Sequence, residues 1–113
     1  MMQKAKQAVG MNLKVISPDQ VLYEGRIDSL VVKTEEGYEG FLRGRAPCCK
    51  LLAAQGDIKF HAVETAGGNP DEYAARTDKN GFLRALTRGG FLYMNGDITV
   101  YADEVQWNET KGM

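Results

Sequence analysis

Few residues of this 113-residue chain are of types that do chemistry, and none is spaced for it. Cys48 and Cys49 are the only cysteines, and they are adjacent. Neighbouring side chains on a strand point to opposite faces, which suits neither a redox pair nor a shared metal. A zinc site would need two further ligands at regular spacing, and His61 is the single histidine. A nucleophile–base–acid triad around His61 would need a serine or cysteine brought beside it, and no Gly-x-Ser-x-Gly elbow is present. Glu35-Glu36 and Asp71-Glu72 resemble general acid/base pairs, but they lie in turn-like polar segments where solvated charge is the ordinary state. Gly37, Gly40 and Gly44 recur in a charged stretch without the Lys-Ser/Thr pair and the following helix of a phosphate loop. The cysteines therefore read as packing residues and His61 as a structural or surface side chain. No catalytic, cofactor-binding or metal-binding residue is expected, so function must lie in binding partners.

The elements that would position such a surface follow from pattern and punctuation. One domain is expected at this length, with enough chain to bury a core without staples. Hydrophobic residues at 43% and charged residues at 26% are ordinary globular values. Fourteen basic and fifteen acidic residues give a net charge of −1, without the basic surplus that phosphate-backbone binding requires. Nucleic acid is not an expected partner. No apolar run approaches the roughly 20 residues of a membrane span, and no apolar segment after Lys4 and Lys6 forms a signal peptide. Two free thiols fit a reducing compartment, so a cytosolic chain is expected, in which the Asn108-Glu109-Thr110 triplet carries no sugar.

Met1–Met11 reads as a loose arm. Leu13 and Val15 then alternate with Asn12 and Lys14 until Ser17-Pro18-Asp19 breaks the ladder. Val21–Tyr23 reads as a second strand ended by Glu24-Gly25, and Ile27–Val32 as a third, central one. Glu35-Glu36-Gly37 is a turn before a short strand at Tyr38–Leu42, and Arg43–Pro47 is a loop. Cys48–Ala54 is strand or helix by its apolar run alone. Ile58–Ala62 alternates cleanly. A long surface loop is expected at about 63–81, with a helical turn at Asp71–Arg76. Phe82–Leu86, Phe91–Met94 and Ile98–Tyr101 complete the strands, the last two joined by Asn95-Gly96, whose residues tolerate the positive φ of a tight hairpin. Asp103–Met113 shows no core-forming pattern. The expectation is an all-β, antiparallel β-sandwich of about nine to ten short strands. It would fill residues 12–104, between an arm at 1–11 and a tail at 105–113.

One constellation is more specific. Leu13-x-Val15-x-Ser17-Pro18 leads to Val21-x-Tyr23-x-Gly25 and Ile27-x-x-Leu30-x-Val32. Then come Glu36-Gly37-Tyr38-Glu39-Gly40-Phe41-Leu42-x-Gly44-Arg45-Ala46-Pro47 and Gly56-Asp57-Ile58. Gly89-Gly90-Phe91-Leu92-Tyr93, Asp97-Ile98-Thr99-Val100 and Ala102-Asp103 close the run. From Leu13 to Asp103 the chain resembles the N-terminal β-sandwich domain of the epsilon subunit of F-type ATP synthases. It departs from that family's pattern in four ways. Arg43 and Arg45 stand where proline and histidine are usual, and Cys48-Cys49 where paired aliphatics are usual. Residues 61–83 hold a longer connection. The family's C-terminal helical hairpin, which in many members binds nucleotide or restrains the motor, has no counterpart in the residues after Asp103.

The resemblance implies a non-catalytic central-stalk subunit of a rotary ATP synthase, which helps couple ion translocation to ATP synthesis or hydrolysis. Its implied partners are the gamma subunit, on the side of Leu42, Gly44 and Arg45, and the c-ring, on the side of Glu36, Gly37 and Tyr38. It also implies no cofactor, no nucleotide bound by this chain, no direct membrane insertion, and a peripheral place on the cytoplasmic face of a membrane complex. Two alternatives stand beside it: a freestanding β-sandwich adaptor for another protein, and, ranked below, a small ligand-binding or enzymatic domain using His61 and the cysteines.

Overall fold

The computed structural model describes residues 10–65 and 77–108, with no side-chain account of Glu64 and Thr65. Among the described residues nine strands follow one another: β1 Met11–Ser17, β2 Gln20–Thr34, β3 Gly37–Phe41, β4 Cys48–Leu51, β5 Gly56–Thr65, β6 Phe82–Arg88, β7 Phe91–Asn95, β8 Asp97–Tyr101 and β9 Glu104–Trp107. No helix forms among the described residues. The order in the sheet is β4-β7-β8-β1-β2-β5-β6-β9, with β3 also paired to β2.

The alternation read from the sequence is what this sheet uses. Met11, Leu13 and Val15 are buried while Asn12 and Lys14 face outward. Leu83, Ala85 and Thr87 on β6, Leu92 and Met94 on β7, and Ile98 and Val100 on β8 point to the same interior. A sheet this wide shields one face only by folding over, and β2 is the strand that does it. Straight, its fifteen residues would run about 50 Å, longer than the 44 Å extent of the whole molecule. Its first half pairs with β1 and its second half with β3, while β5 runs along its other edge with register shifts at Arg26/Ile27 and Ile27/Ser29. Such bulges bend a strand and increase its twist. The β9 end then comes back toward the β1–β2 turn, where Gln20 Nε2 donates to the Val105 carbonyl at 3.2 Å. Between the layers, the Tyr23 and Phe60 rings meet at 4.6 Å and Trp107 lies 6.4 Å from Phe60.

Several expectations need correction. Val21–Tyr23 and Ile27–Val32 are one strand: Gly25 does not end it but sits buried in the ladder, opposite Leu13 and Thr65. The sheet is antiparallel except where β1 and β8 run parallel, Leu13 opposite Ile98 and Val15 opposite Val100. The ambiguous Cys48–Ala54 stretch is a strand only to Leu51, after which Leu52 bridges to Thr34. Glu104–Trp107, read as patternless, is an edge strand whose Val105 is buried. Its alternation is simply too short to stand out. Met11, assigned to the arm, is a buried residue of β1. The helical turn expected at Asp71–Arg76 lies outside the described residues.

Candidate functional site

The β2–β3 turn is a built tip. Thr34 is buried, and its hydroxyl donates to the Gly37 carbonyl at 2.9 Å while accepting from the Glu36 N–H at 3.1 Å. Gly37 holds φ +114°, in the left-handed region that side chains other than glycine rarely adopt. Glu35 and Glu36 are left exposed at the apex. Behind them Tyr38, 62% exposed, donates its hydroxyl to Asp57 Oδ1 at 2.6 Å. That bond, with the nearby carboxylate charge, pushes the phenol above its ordinary range. The Lys33 ammonium lies 5.7 Å from the Tyr38 ring centre.

Leu42, Gly44 and Arg45 emerge at the other end of β3. Gly44 takes φ +94°, and the Arg45 N–H donates to the Leu42 carbonyl at 3.3 Å, closing a turn that leaves Leu42 60% exposed. The Arg45 side chain is committed inward. It donates to the Gly40 carbonyl at 2.6 Å and to Glu39 Oε2 at 2.7 Å, with its guanidinium 4.2 Å from the centre of the buried Phe41 ring. Lys50 reaches the same carboxylate at 3.3 Å. The Arg45 hydrogen bond, aided by Lys50 and opposed by desolvation, holds the Glu39 carboxyl below its usual range. The two expected docking segments therefore sit at opposite ends of one five-residue strand.

The strand register assembles a third surface from residues scattered along the chain. Leu51 on β4 stands opposite Phe91 on β7, Phe91 opposite Tyr101 on β8, Tyr101 opposite Ile16 on β1, and Ile16 opposite Val21 on β2. Four of the five face solvent: Leu51 at 59%, Val21 at 57%, and Phe91 and Tyr101 at 40% each. The Phe91 and Tyr101 rings stack at 4.8 Å. Beside them a shallow, mostly apolar hollow of about 300 Å³ opens between Ile16, Pro18, Gly90 and Ala102. An apolar rank across five strands is a continuous exposed patch, and such patches mark protein–protein contacts. The signal for it was in the sequence: Phe91-Leu92-Tyr93-Met94 is apolar on both phases of a strand, where a half-buried strand alternates with polar residues.

The chemistry-bearing residues fall elsewhere. His61 Nδ1 lies 3.0 Å from Asp28 Oδ1 across β2 and β5, with its ring edge-on to Phe82. The ring also roofs Gly81, where an added Cβ would sit 2.6 Å from Nε2. Cys48 is half-buried against the core and Cys49 is exposed, so the two thiols do point to opposite faces. Among the described residues no three His, Cys, Asp or Glu side chains group to hold a metal ion.

Among the described residues the chain is an all-β sandwich, a sheet folded over on itself with an apolar rank on its outer face. The family described as "ATP synthase, Delta/Epsilon chain, beta-sandwich domain" matches residues 10–108, and the chain belongs to that family. It is 43% identical over 106 residues to an ATP synthase epsilon chain of Mycoplasmoides gallisepticum, covering 88% of this chain and 69% of that one. It is 26% identical over 99 residues to an ATP synthase epsilon chain of Ruminococcus albus, of which it spans 61% of the length. The fold is shared with a chain of the Euglena gracilis mitochondrial ATP synthase structure (OSCP/F1/c-ring), with a TM-score of 0.67, 17% identity, and coverage of 88% of this chain and 54% of that one.

Proposed function

We propose that this chain is a non-catalytic subunit of the rotary central stalk, docking on the gamma subunit and on the c-ring and helping couple ion translocation to ATP synthesis or hydrolysis. The observation that carries the reading is the rank Val21–Ile16–Tyr101–Phe91–Leu51, an apolar outer face that a partner protein would cover. Gamma is its occupant. Leu42 and Gly44 extend the contact at the loop before β4, and Arg45 acts chiefly by holding that loop through Glu39 and the Gly40 carbonyl. The c-ring takes the β2–β3 tip, which adjoins the Leu51 end of the rank through the Glu35 N–H to Leu51 carbonyl bond at 3.1 Å, and where Glu36, Gly37 and the Asp57-braced Tyr38 present a polar, hydrogen-bonded turn. The role is mechanical. A domain that transmits torque must not shear at its contacts, and both contact segments hang on hydrogen-bonded turns anchored to β2, the strand shared by both layers. No helix among the described residues is long and apolar enough to cross a membrane.

Co-purification with the cognate gamma subunit, and separately with c-ring-containing membranes, tests the assignment. The chain should be retained by both. Tyr38→Ala should leave gamma binding intact and lower retention on the membranes. Failure of the unmodified chain to bind either partner would overturn the proposal and leave a freestanding adaptor as the better reading.

A further inference from the structure

Among the described residues three strands pair with a single neighbour each: β3 with β2, β4 with β7, and β9 with β6. Such a strand turns one row of backbone donors and acceptors outward, a template for pairing with another chain. Two of these edges carry a cap from elsewhere in the fold. On β4 the Leu51 carbonyl accepts from the Glu35 N–H at 3.1 Å, and on β9 the Val105 carbonyl accepts from Gln20 Nε2 at 3.2 Å.

The β3 edge is closed by one charged side chain. Arg45, in the loop that follows, donates to the Gly40 carbonyl at 2.6 Å and is steadied by Glu39 at 2.7 Å. A carbonyl that accepts from outside the ladder points away from β2. Backbone groups reverse direction at each residue of a strand, so those of Tyr38 point outward as well. Among the described residues, no hydrogen bond outside the strand ladders engages the Tyr38 backbone or the Gly40 N–H.

Gly40 is a second observation. Its φ is not in the left-handed region, and a Cβ added there would meet nothing within 4 Å. Neither a turn nor crowding in the isolated chain calls for glycine, which weakens a strand interior. Glycine in a strand often marks the close approach of another backbone. The side chain beside it leaves the edge clear, because Tyr38 leans back over β2 to Lys33 and Asp57.

We propose that the outer edge of β3 is a strand-addition site for a second copy of this chain, and that Arg45 keeps it shut in the monomer. The edge is self-complementary. Antiparallel pairing about a two-fold axis at Glu39 sets Tyr38 of each copy opposite Gly40 of the other, so their outward N–H and C=O groups exchange bonds. The two Glu39 carboxylates meet across the axis, and Lys50, 3.3 Å from its own Glu39, balances each of them. Arg45 stands in the way, since it holds the Gly40 carbonyl that the Tyr38 N–H of the other copy would need. The pairing concerns the free chain and does not depend on the partners proposed above.

Sedimentation equilibrium of the full chain, with amide hydrogen exchange read by NMR, tests this. The unmodified chain should stay monomeric and exchange fast at Tyr38 and Gly40. Arg45→Ala should lower the dimer Kd by about tenfold or more, the scale of a hydrogen bond to a charged group. It should also slow exchange at those two amides as concentration rises. Adding Gly40→Pro, which removes an outward N–H and spares the β2 ladder, should restore the monomer. Glu39→Gln loosens the guanidinium without shortening a side chain, should shift the equilibrium the same way, and serves if Arg45→Ala does not fold. Three results would overturn the proposal: a folded variant as monomeric as the unmodified chain, dimers whose Tyr38 and Gly40 amides still exchange fast, or dimers indifferent to Gly40→Pro.

Discussion

Truncating Phe91 tests the docking surface most directly. In the free chain 40% of Phe91 is exposed, and in the proposed complex gamma would cover that part. Taking about 200 Å² for a phenylalanine side chain, on the order of 80 Å² remains to be removed from water. At about 25 cal/mol per Å² this is about 2 kcal/mol, or roughly a thirtyfold rise in Kd for Phe91→Ala. The substitution also removes the stacking on Tyr101, worth about 0.5–1.5 kcal/mol to the fold, so urea unfolding must accompany the binding measurement. Titration calorimetry of the chain with purified gamma reads the effect. Val63→Ala, exposed on β5 and outside the rank, should leave Kd unchanged. A change of under about threefold for Phe91→Ala in a folded protein would refute the area argument. The rank would then be an exposed apolar face without an energetic share in the contact.

Four further outcomes follow from the geometry. Arg45→Ala should weaken gamma binding by roughly 1–3 kcal/mol and also speed proteolysis within residues 42–47, since the same guanidinium ties that loop to Glu39. Gly90→Ala should lower stability by at least about 2 kcal/mol in urea unfolding, because φ is +98° and the new Cβ would lie 1.9 Å from the Tyr101 carbonyl oxygen. The Asp78 carboxylate accepts from the Phe82 and Asn80 N–H groups and pairs with Arg84, which lowers its pKa from 3.8 to about 2. Its contribution to stability is present above pH 3.8 and lost as pH falls toward 2; acid unfolding of Asp78→Asn should lack that component. Thiol labelling of the native chain should modify the exposed Cys49 faster than the half-buried Cys48, as read by mass spectrometry of the Cys49→Ser and Cys48→Ser forms.

The sheet was legible because most of its strands carry a one-sided alternation that survives in any all-β arrangement. Leu13 and Val15, Ile58 and Phe60, and Ile98 and Val100 announce their inward faces without knowledge of their neighbours. The errors came where local punctuation competed with tertiary pairing. Glu24-Gly25 carries an ordinary turn signal, yet β1 and β5 flank it on both sides and hold the chain extended. The parallel β1–β8 contact has no local signature at all, since a parallel register is set by strands more than eighty residues apart. Nor can spacing show that Arg45 is held by Glu39 and the Gly40 carbonyl, with Lys50 on the same Glu39 carboxylate.

The apolar rank was the deeper omission, and its cause is general. Each of Leu51, Phe91, Tyr101 and Val21 alone is an ordinary exposed apolar residue, and Ile16 a half-buried one, the kind every soluble surface carries. Their meaning is in the register, which brings five segments scattered over the chain into one line. The same register bounds the patch. In the next rank Tyr93 stands opposite Thr99, Thr99 opposite Lys14, and Lys14 opposite Glu24, at 3.9 Å between the charges; beyond it Asn12 binds Asp97. An apolar centre passing into a hydrated polar rim is the anatomy of a protein interface. A core strand needs only one apolar face. The second apolar face of β7 stacks only partly in the isolated fold and stays half open to solvent, and the proposed partner lying across the rank would cover the rest.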